Sequence, residues 1–153
     1  MSSVPEVLAA LATLGRATLP NNQVIDGTLE GVTVTGGRLL LIGAVFSGRA
    51  EDDFEIERER DSLAGVTATE EYVVPCGVVS DVPGADQSVA DAQAWADYEA
   101  MEAAIIANPH LGLSASFSLH ATILATQAFR RRADQNGRHA LVRFGVHIFA
   151  TTN

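Results

Sequence analysis

Two stretches near the end of the chain alternate polar and apolar residues with a period of two. Residues 115–127, ASFSLHATILATQ, put Phe117, Leu119, Ala121 and Ile123 on one side and Ser116, Ser118, His120 and Thr122 on the other. Residues 139–151, HALVRFGVHIFAT, oppose Val142, Phe144, Val146 and Ile148 to Arg143, Gly145 and His147. Successive side chains of a strand point to opposite faces, so such runs are satisfied when one face is buried and the other is wet. Arg130, Arg131, Arg132, Asp134, Asn136 and Gly137 lie between the runs and supply polar turn chemistry. The pattern predicts a half-buried antiparallel hairpin whose outward face carries Ser, Thr, His and Arg.

The rest of the chain must supply what covers that hairpin. Ser3-Val4-Pro5-Glu6 reads as a capping box, with Ser3 as N-cap, Glu6 reaching back and Pro5 in the first turn. Val4, Val7, Leu8, Leu11 and Leu14 follow at helical spacing, and Leu19-Pro20-Asn21-Asn22 breaks the pattern. Gln23–Gly27 reads as a short strand. Arg38–Val45 is a continuous apolar run suited to a central strand covered on both faces. Residues 47–53 form a polar loop. Phe54–Asp61 then alternates, with Glu55, Glu57, Glu59 and Asp61 forming an acidic strand face. Residues 69–79 resume strand character, and Asp81–Gly84 is a turn. Residues 86–107 form a second helix, with Asp86 or Ser88 as N-cap and Pro109 and Gly112 closing it. Its apolar stripe is Trp95, Tyr98, Met101 and Ile105, widened by Val89, Ala92, Ala96, Ala103 and Ile106. The order of elements predicts a single α+β domain over residues 1–153. It has a mixed, mostly antiparallel sheet, two main helices packed on one face, and a terminal hairpin.

Composition narrows the function classes. The chain has 153 residues and a formal net charge of -9, and all ten basic residues are arginine. An acidic chain is poorly suited to wrapping nucleic acid, which needs clustered cations. No run approaches the ~18 apolar residues of a membrane span. The N-terminal segment carries Glu6 and no basic residues before its apolar part, which reads against a signal peptide and for synthesis in the cytoplasm. Cys76 is the lone cysteine, set in the apolar run Tyr72–Val79, where a thiol acts as a small hydrophobe.

Catalytic signatures do not emerge. There is no G-x-S-x-G elbow, P-loop, G-x-G-x-x-G, H-E-x-x-H or C-x-x-C. His120 and His147 fall on one face of neighbouring strands, but a metal site needs three or four ligands with supporting carboxylates. His110 and His139 adjoin turns and read as solvated, and Glu51, Asp52 and Asp53 lack the spacing of a calcium loop. The expectation is a non-enzymatic protein with no cofactor and no metal. The sharpest surface feature is a segregation of charge: Arg130, Arg131 and Arg132 against Glu55, Glu57, Glu59 and Asp61. In a ring of copies, the Arg tip of one could meet the acidic strand of the next.

Several segments, taken in order, resemble the tail terminator proteins of long-tailed, siphovirus-type bacteriophages, especially those of actinobacteria. They are Val4–Leu11 running into Leu19–Gly27; Glu59-Arg60-Asp61-Ser62-Leu63; the Asp91–Ala107 helix closing with Asn108-Pro109-His110-Leu111-Gly112-Leu113; and Asn136–Phe144. The resemblance spans nearly the whole chain and rests on order and spacing; the Gly- and Thr-rich residues 28–50 depart from it. It implies a virion structural protein, made in the host cytoplasm, that assembles as a homo-hexameric ring at the tail–neck junction. Such a ring caps the tail tube, stops its polymerisation and docks the head–tail connector (stopper) protein. Viral DNA passes through its lumen without specific binding, and no membrane is involved. Alternative readings are another neck, head-completion or tail-tube component, or a small cytoplasmic binding domain.

Overall fold

A computed structural model describes residues 2–27, 31–43, 56–60, 67–113 and 117–152. The expected loop 47–53 with its acids, Glu55, Asp61 and Ser116 lie outside the described residues. In chain order the elements are α1 (Val4–Thr18), β1 (Gln23–Gly27), β2 (Arg38–Gly43), β3 (Ile56–Arg60), β4 (Ala68–Val82), α2 (Gln87–Ala107), β5 (Phe117–Asp134) and β6 (Gly137–Thr152). The six strands form one mixed sheet in the order β1-β2-β4-β6-β5, with β3 also paired to β4. Among the described residues only β1 and β2 run parallel; the other pairs are antiparallel. The architecture is α+β, with both helices on one face.

β4 and β6 form the spine. Their register runs unbroken from Ala68 opposite Thr152 to Val82 opposite Arg138. Tyr72, Val74, Cys76 and Val78 of β4 and Val142, Phe144, Val146 and Ile148 of β6 thereby share the helix face, and all are buried. The other edge of β4 is divided: β3 pairs with Ala68–Tyr72 and β2 with Cys76–Ser80. Pro75 falls in the gap between these two partners, where the missing N–H costs no ladder bond on that side. β2 is central as expected, with Leu39, Leu40, Leu41 and Ile42 buried on both faces.

The hairpin is longer than its alternation implies. Both strands continue to a two-residue turn at Gln135 and Asn136, so Arg130, Arg131 and Arg132 lie within β5 and not in a loop. A double irregularity between Ile123 and Ala128 explains the difference. One register slip would turn every later side chain to the wrong face; two slips restore the phase. Leu119 and Ala121 before the bulge, and Phe129 and Arg131 after it, therefore share the helix face. The outward face of β6 is also less wet than expected: Arg143 is 6% exposed and Gly145 is buried. β6 lies between β4 and β5, whose side chains wall in its outward residues, and Leu141 joins Ile25, Leu39 and Leu41 in a small second cluster there.

Polar contacts fix each helix to the sheet. Ser3 takes helical dihedrals and makes no side-chain cap bond, so the expected capping box does not form. Its amide and hydroxyl instead donate to Glu70 Oε2 at 2.7 and 2.6 Å, and its hydroxyl lies 2.9 Å from that of Tyr72. The amide that Glu6 would bond is thus taken by β4. Burial pushes the Tyr72 hydroxyl up to about 12, so it stays neutral beside this carboxylate. Near the other end of α1, Gly15 lies against Leu40 of β2.

On α2, Asp86 caps the first turn by accepting from the Ser88 amide at 3.1 Å, as expected. The inward stripe includes Tyr98, Met101 and Ile105, but its widening residues are Ala90 and Ala94. Val89, Ala92, Ala96, Ala103 and Ile106 are exposed. Asp97, a residue that pattern alone leaves on the polar side, is buried and bonded by Arg38 Nε at 3.2 Å and Asn22 Nδ2 at 2.9 Å.

Two stability outcomes follow. Gly15→Ala places a Cβ 2.3 Å from the Leu40 side chain, which is itself fully buried. It is expected to cost about 1–3 kcal/mol, where the same change on an open helix gains roughly 1 kcal/mol. Asp97→Ala strips the acceptor from Arg38 and Asn22. Its expected cost is on the order of 2–3 kcal/mol, below that of a wholly buried pair because the Arg38 side chain is 30% exposed. Urea unfolding measures both, and a stabilised Gly15→Ala variant would refute the close-packing account of α1.

Candidate functional site

The residues singled out by charge lie at two corners of the sheet. Glu57 and Glu59 are exposed on β3, opposite Glu71 and Thr69 of β4. Residues directly opposite in a ladder share a face, so both point away from the helices. The arginines divide. Arg130 and Arg132 stand opposite Leu141 and His139 on that same outward face, whereas Arg131 stands opposite Ala140 on the helix face. There Arg131 Nε pairs with Asp91 of α2 at 3.0 Å. The Arg tip is thus not uniformly held off the core: its middle member ties β5 to α2.

The two patches are not adjacent within one chain. β3 is level with Glu70 of β4, and the arginines are level with Ser80. That interval is about 33 Å along the strands at ~3.3 Å per residue. The patches also occupy opposite edges, because β3 and β5 flank the β4–β6 pair. A contact between the Arg tip of one copy and β3 of another requires the copies to be offset along the strands by roughly this amount.

Around the Arg tip the hairpin is fastened to the start of α2. Gly137 packs so closely on the β4–α2 corner that a Cβ would lie 2.1 Å from the Val82 carbonyl oxygen. Gln87 Nε2 donates to the His139 carbonyl at 3.1 Å. His139, expected to be solvated, bridges two strands: its Nδ1 lies 2.5 Å from Asp81 Oδ1 and its Nε2 lies 3.0 Å from Asp134 Oδ2. Asp134 also accepts from the Asn136 amide and pairs with Arg132. The carboxylates of Asp134 and Asp81 hold the imidazole above its usual range, and the His139 imidazole holds Asp134 below the usual carboxylate range. No sequence pattern announces this bridge, because its members come from three strands.

The other histidines are simpler. His147 and His120 do share the outward face, on neighbouring strands, and His147 Nε2 lies 2.8 Å from Glu71 Oε1. His110 lies 2.6 Å from the Leu119 carbonyl oxygen through Nδ1. Among the described residues no three His, Cys, Asp or Glu side chains are grouped to hold a metal. Cys76 is buried in the core, and burial pushes its thiol up to about 12, far from a reactive thiolate. A shallow groove of about 490 Å³ runs along α1, walled by Ala9, Ala10, Leu14, Leu111 and Leu113. Its polar groups are Glu6, Thr13 and Asn108, which supply neither a nucleophile–base pair nor a cluster of cations. No helix of the described residues is long and apolar enough to cross a membrane.

No protein-family model matches the chain, and no curated protein matches it either.

The His139 bridge sets a pH dependence. A raised histidine value adds stability that is fully present below the ordinary value and lost as pH rises through the raised one. Asp134, held low, adds stability above the ordinary carboxylate value and loses it as pH falls through the lowered one. The bridge is strongest between about pH 4 and pH 6.5. The difference in thermal stability between the native chain and His139→Gln is expected to peak there and to shrink as pH rises through the raised histidine value. A difference that does not vary with pH would show that the bridge contributes nothing.

Proposed function

We propose that the chain is a structural subunit that assembles head to tail into a closed ring, and that the ring is a phage tail terminator. The observation that carries the ring is the pair of unlike edges. Arg130 and Arg132 lie on β5, Glu57 and Glu59 lie on β3, and all four face outward on one side of the sheet. A heterologous contact needs two different, complementary surfaces on each copy. Opposite charge on a shared face meets that need, and the offset along the strands is taken up by strand tilt, as in any closed sheet. The tie to a tail comes from the resemblance of the ordered segments Val4–Gly27, Asp91–Leu113 and Asn136–Phe144 to tail terminators. On this reading the ring caps the tube, docks the head–tail connector (stopper) and is carried in the virion. A net charge of -9 disfavours sticking to DNA that passes through the lumen.

Light scattering of the purified protein, alone and with its cognate tail-tube protein, tests this. Tubes of defined length with six copies at one end are the expected result. Incorporation along the whole tube would make it a tube subunit instead, and a monomer that ignores the tube protein at every salt concentration would end the reading. Charge exchange tests the contact itself. Arg130→Glu with Arg132→Glu is expected to abolish ring formation, and mixing with Glu57→Arg/Glu59→Arg subunits to restore association. Arg131→Ala, which loses only its bond to Asp91, is expected to leave assembly in place.

A further inference from the structure

Strand β5 ends the sheet, and its outer edge is guarded only in part. Near its start the Ala121 amide donates to the Pro109 carbonyl at 2.8 Å, and His110 Nδ1 lies 2.6 Å from the Leu119 carbonyl oxygen, so the segment after α2 covers the edge there. The Ala121 bond also shows direction: residues of β5 on the helix face turn their main-chain N–H and C=O groups away from β6. After the double irregularity those residues are Phe129, Arg131 and Ala133. Among the described residues nothing bonds their amides on that side. The face a side chain takes fixes the side to which its main-chain groups point, and reversing the strand reverses that side. β3 runs antiparallel to β5, as the ladders through β4 and β6 require. Its helix-face residues Ile56, Arg58 and Arg60, opposite Tyr72, Glu70 and Ala68, therefore turn their N–H and C=O groups away from β4. The two sides of the sheet thus carry edges whose hydrogen-bonding groups are in matching phase.

We propose that the ring contact is made by strand addition: the tip of β5 of one copy lies antiparallel along the outer edge of β3 of the next, with Arg131 opposite Arg58. This deepens the ring proposed above and rests on it. Charge selects the register. It sets Arg130 opposite Glu59 and Arg132 opposite Glu57 on the outward face, in the non-hydrogen-bonded positions where Cα atoms are about 4.5 Å apart. Phe129, Arg131 and Ala133 meanwhile exchange main-chain bonds with Arg60, Arg58 and Ile56. The one like-charged pair, Arg131 and Arg58, falls where each has a carboxylate beside it: Asp91 at 3.0 Å from Arg131, and Glu70 opposite Arg58. Other pairings of these edges fit less well. Two β5 tips paired about Arg131 would set Arg130 against Arg132 twice, and two β3 strands paired about Arg58 would set Glu57 against Glu59 twice. The edge strand β1 carries Gln23 and Ile25 on its outward face, and no acid. Length fits as well. β1 and β2 line the other half of this side of β4, so β3 forms a step beside them. In the proposed register the hairpin turn at Gln135 and Asn136 comes level with Val74 and Pro75 and abuts Gly27, the end of β1.

Cysteine cross-linking in the presence of the tail-tube protein tests register and direction. Cys76 is the one native thiol and is 2% exposed, so thiols placed on β3 and β5 report alone. R130C/E59C, which keeps the Arg132–Glu57 pair, is expected to give a ladder of covalent oligomers on a non-reducing gel after mild oxidation. R130C/E57C is two residues out of register, with Cα atoms about 8 Å apart, beyond the ~7 Å reach of a disulfide. It is expected to give none; a parallel strand would reverse the two results. Ala133→Pro separates strand addition from a contact of side chains alone. It removes an N–H that serves no bond within the chain, a change that edge strands tolerate. It is expected to abolish the R130C/E59C ladder with circular dichroism unchanged. The proposal is overturned if R130C/E59C gives no ladder, if R130C/E57C gives one, or if the ladder survives Ala133→Pro. Six copies at the tube end without the ladder would overturn the strand pairing and leave the ring; no ladder and no capping would overturn both.

Discussion

The register between β4 and β6 is the constraint on which the rest of the structure depends. It fixes which residues of two long strands face the helices, and so where the main core lies. β6 then positions β5, and the two free ends of the other edge of β4 position β2 and β3. Phe144, fully buried, shows the consequence. It packs edge-on to Tyr98 at 5.4 Å, Tyr98 meets Trp95 at 5.6 Å, and Trp95 meets Phe129 at 5.4 Å. This aromatic row runs from the core to the β5 edge and sets α2 over the hairpin. A one-residue slip of β6 would turn Phe144 to the outward face and Arg143 into the core.

Much of this was legible because period two is a local signal. Val142, Phe144, Val146 and Ile148 announce their face without knowledge of any partner, and the unbroken apolar run Leu39–Ile42 announces a strand covered on both faces. What failed to show were properties set by neighbours distant in sequence. Alternation marks Arg143 as wet, yet its strand lies between two others. The spacing around Trp95 widens the apolar stripe of α2 in one direction, whereas the sheet accepts Ala90 and Ala94 in the other. Ser3 and Glu6 match a capping box, but Glu70 takes the Ser3 amide first. A local motif loses when a tertiary partner offers a charged acceptor in a buried setting.

The charged corners were half legible for the same reason. Runs of Glu and Arg can be read from sequence, and the acidic strand is indeed a strand with Glu57 and Glu59 outward. The division of the arginines could not be read, because the alternating runs stop short of them and leave Arg130, Arg131 and Arg132 as three equivalent tip charges. Once β5 continues through them in register with β6, Arg131 serves the contact of β5 with α2, and Arg130 and Arg132 stand on the face shared with the acids. His139 was invisible to pattern altogether, since Asp81 and Asp134 reach it from different strands.

Buried polar groups cost desolvation and add little net stability, so their value here lies in placement. The apolar layer between helices and sheet could be satisfied by sliding α1 or α2 along the strands, since one aliphatic contact is much like the next. The polar contacts remove that freedom. Ser3 on Glu70 pins the start of α1, and the close approach of Gly15 to Leu40 pins its end. Asp97 with Arg38 and Asn22 pins the middle of α2, while Gln87 on the His139 carbonyl and Asp91 on Arg131 pin its start to the hairpin. With its helices locked in this way, the chain presents unlike charges at two corners of one sheet face as rigid features. The closed ring proposed above requires that rigidity, because an error in placement at one contact is added again at the next.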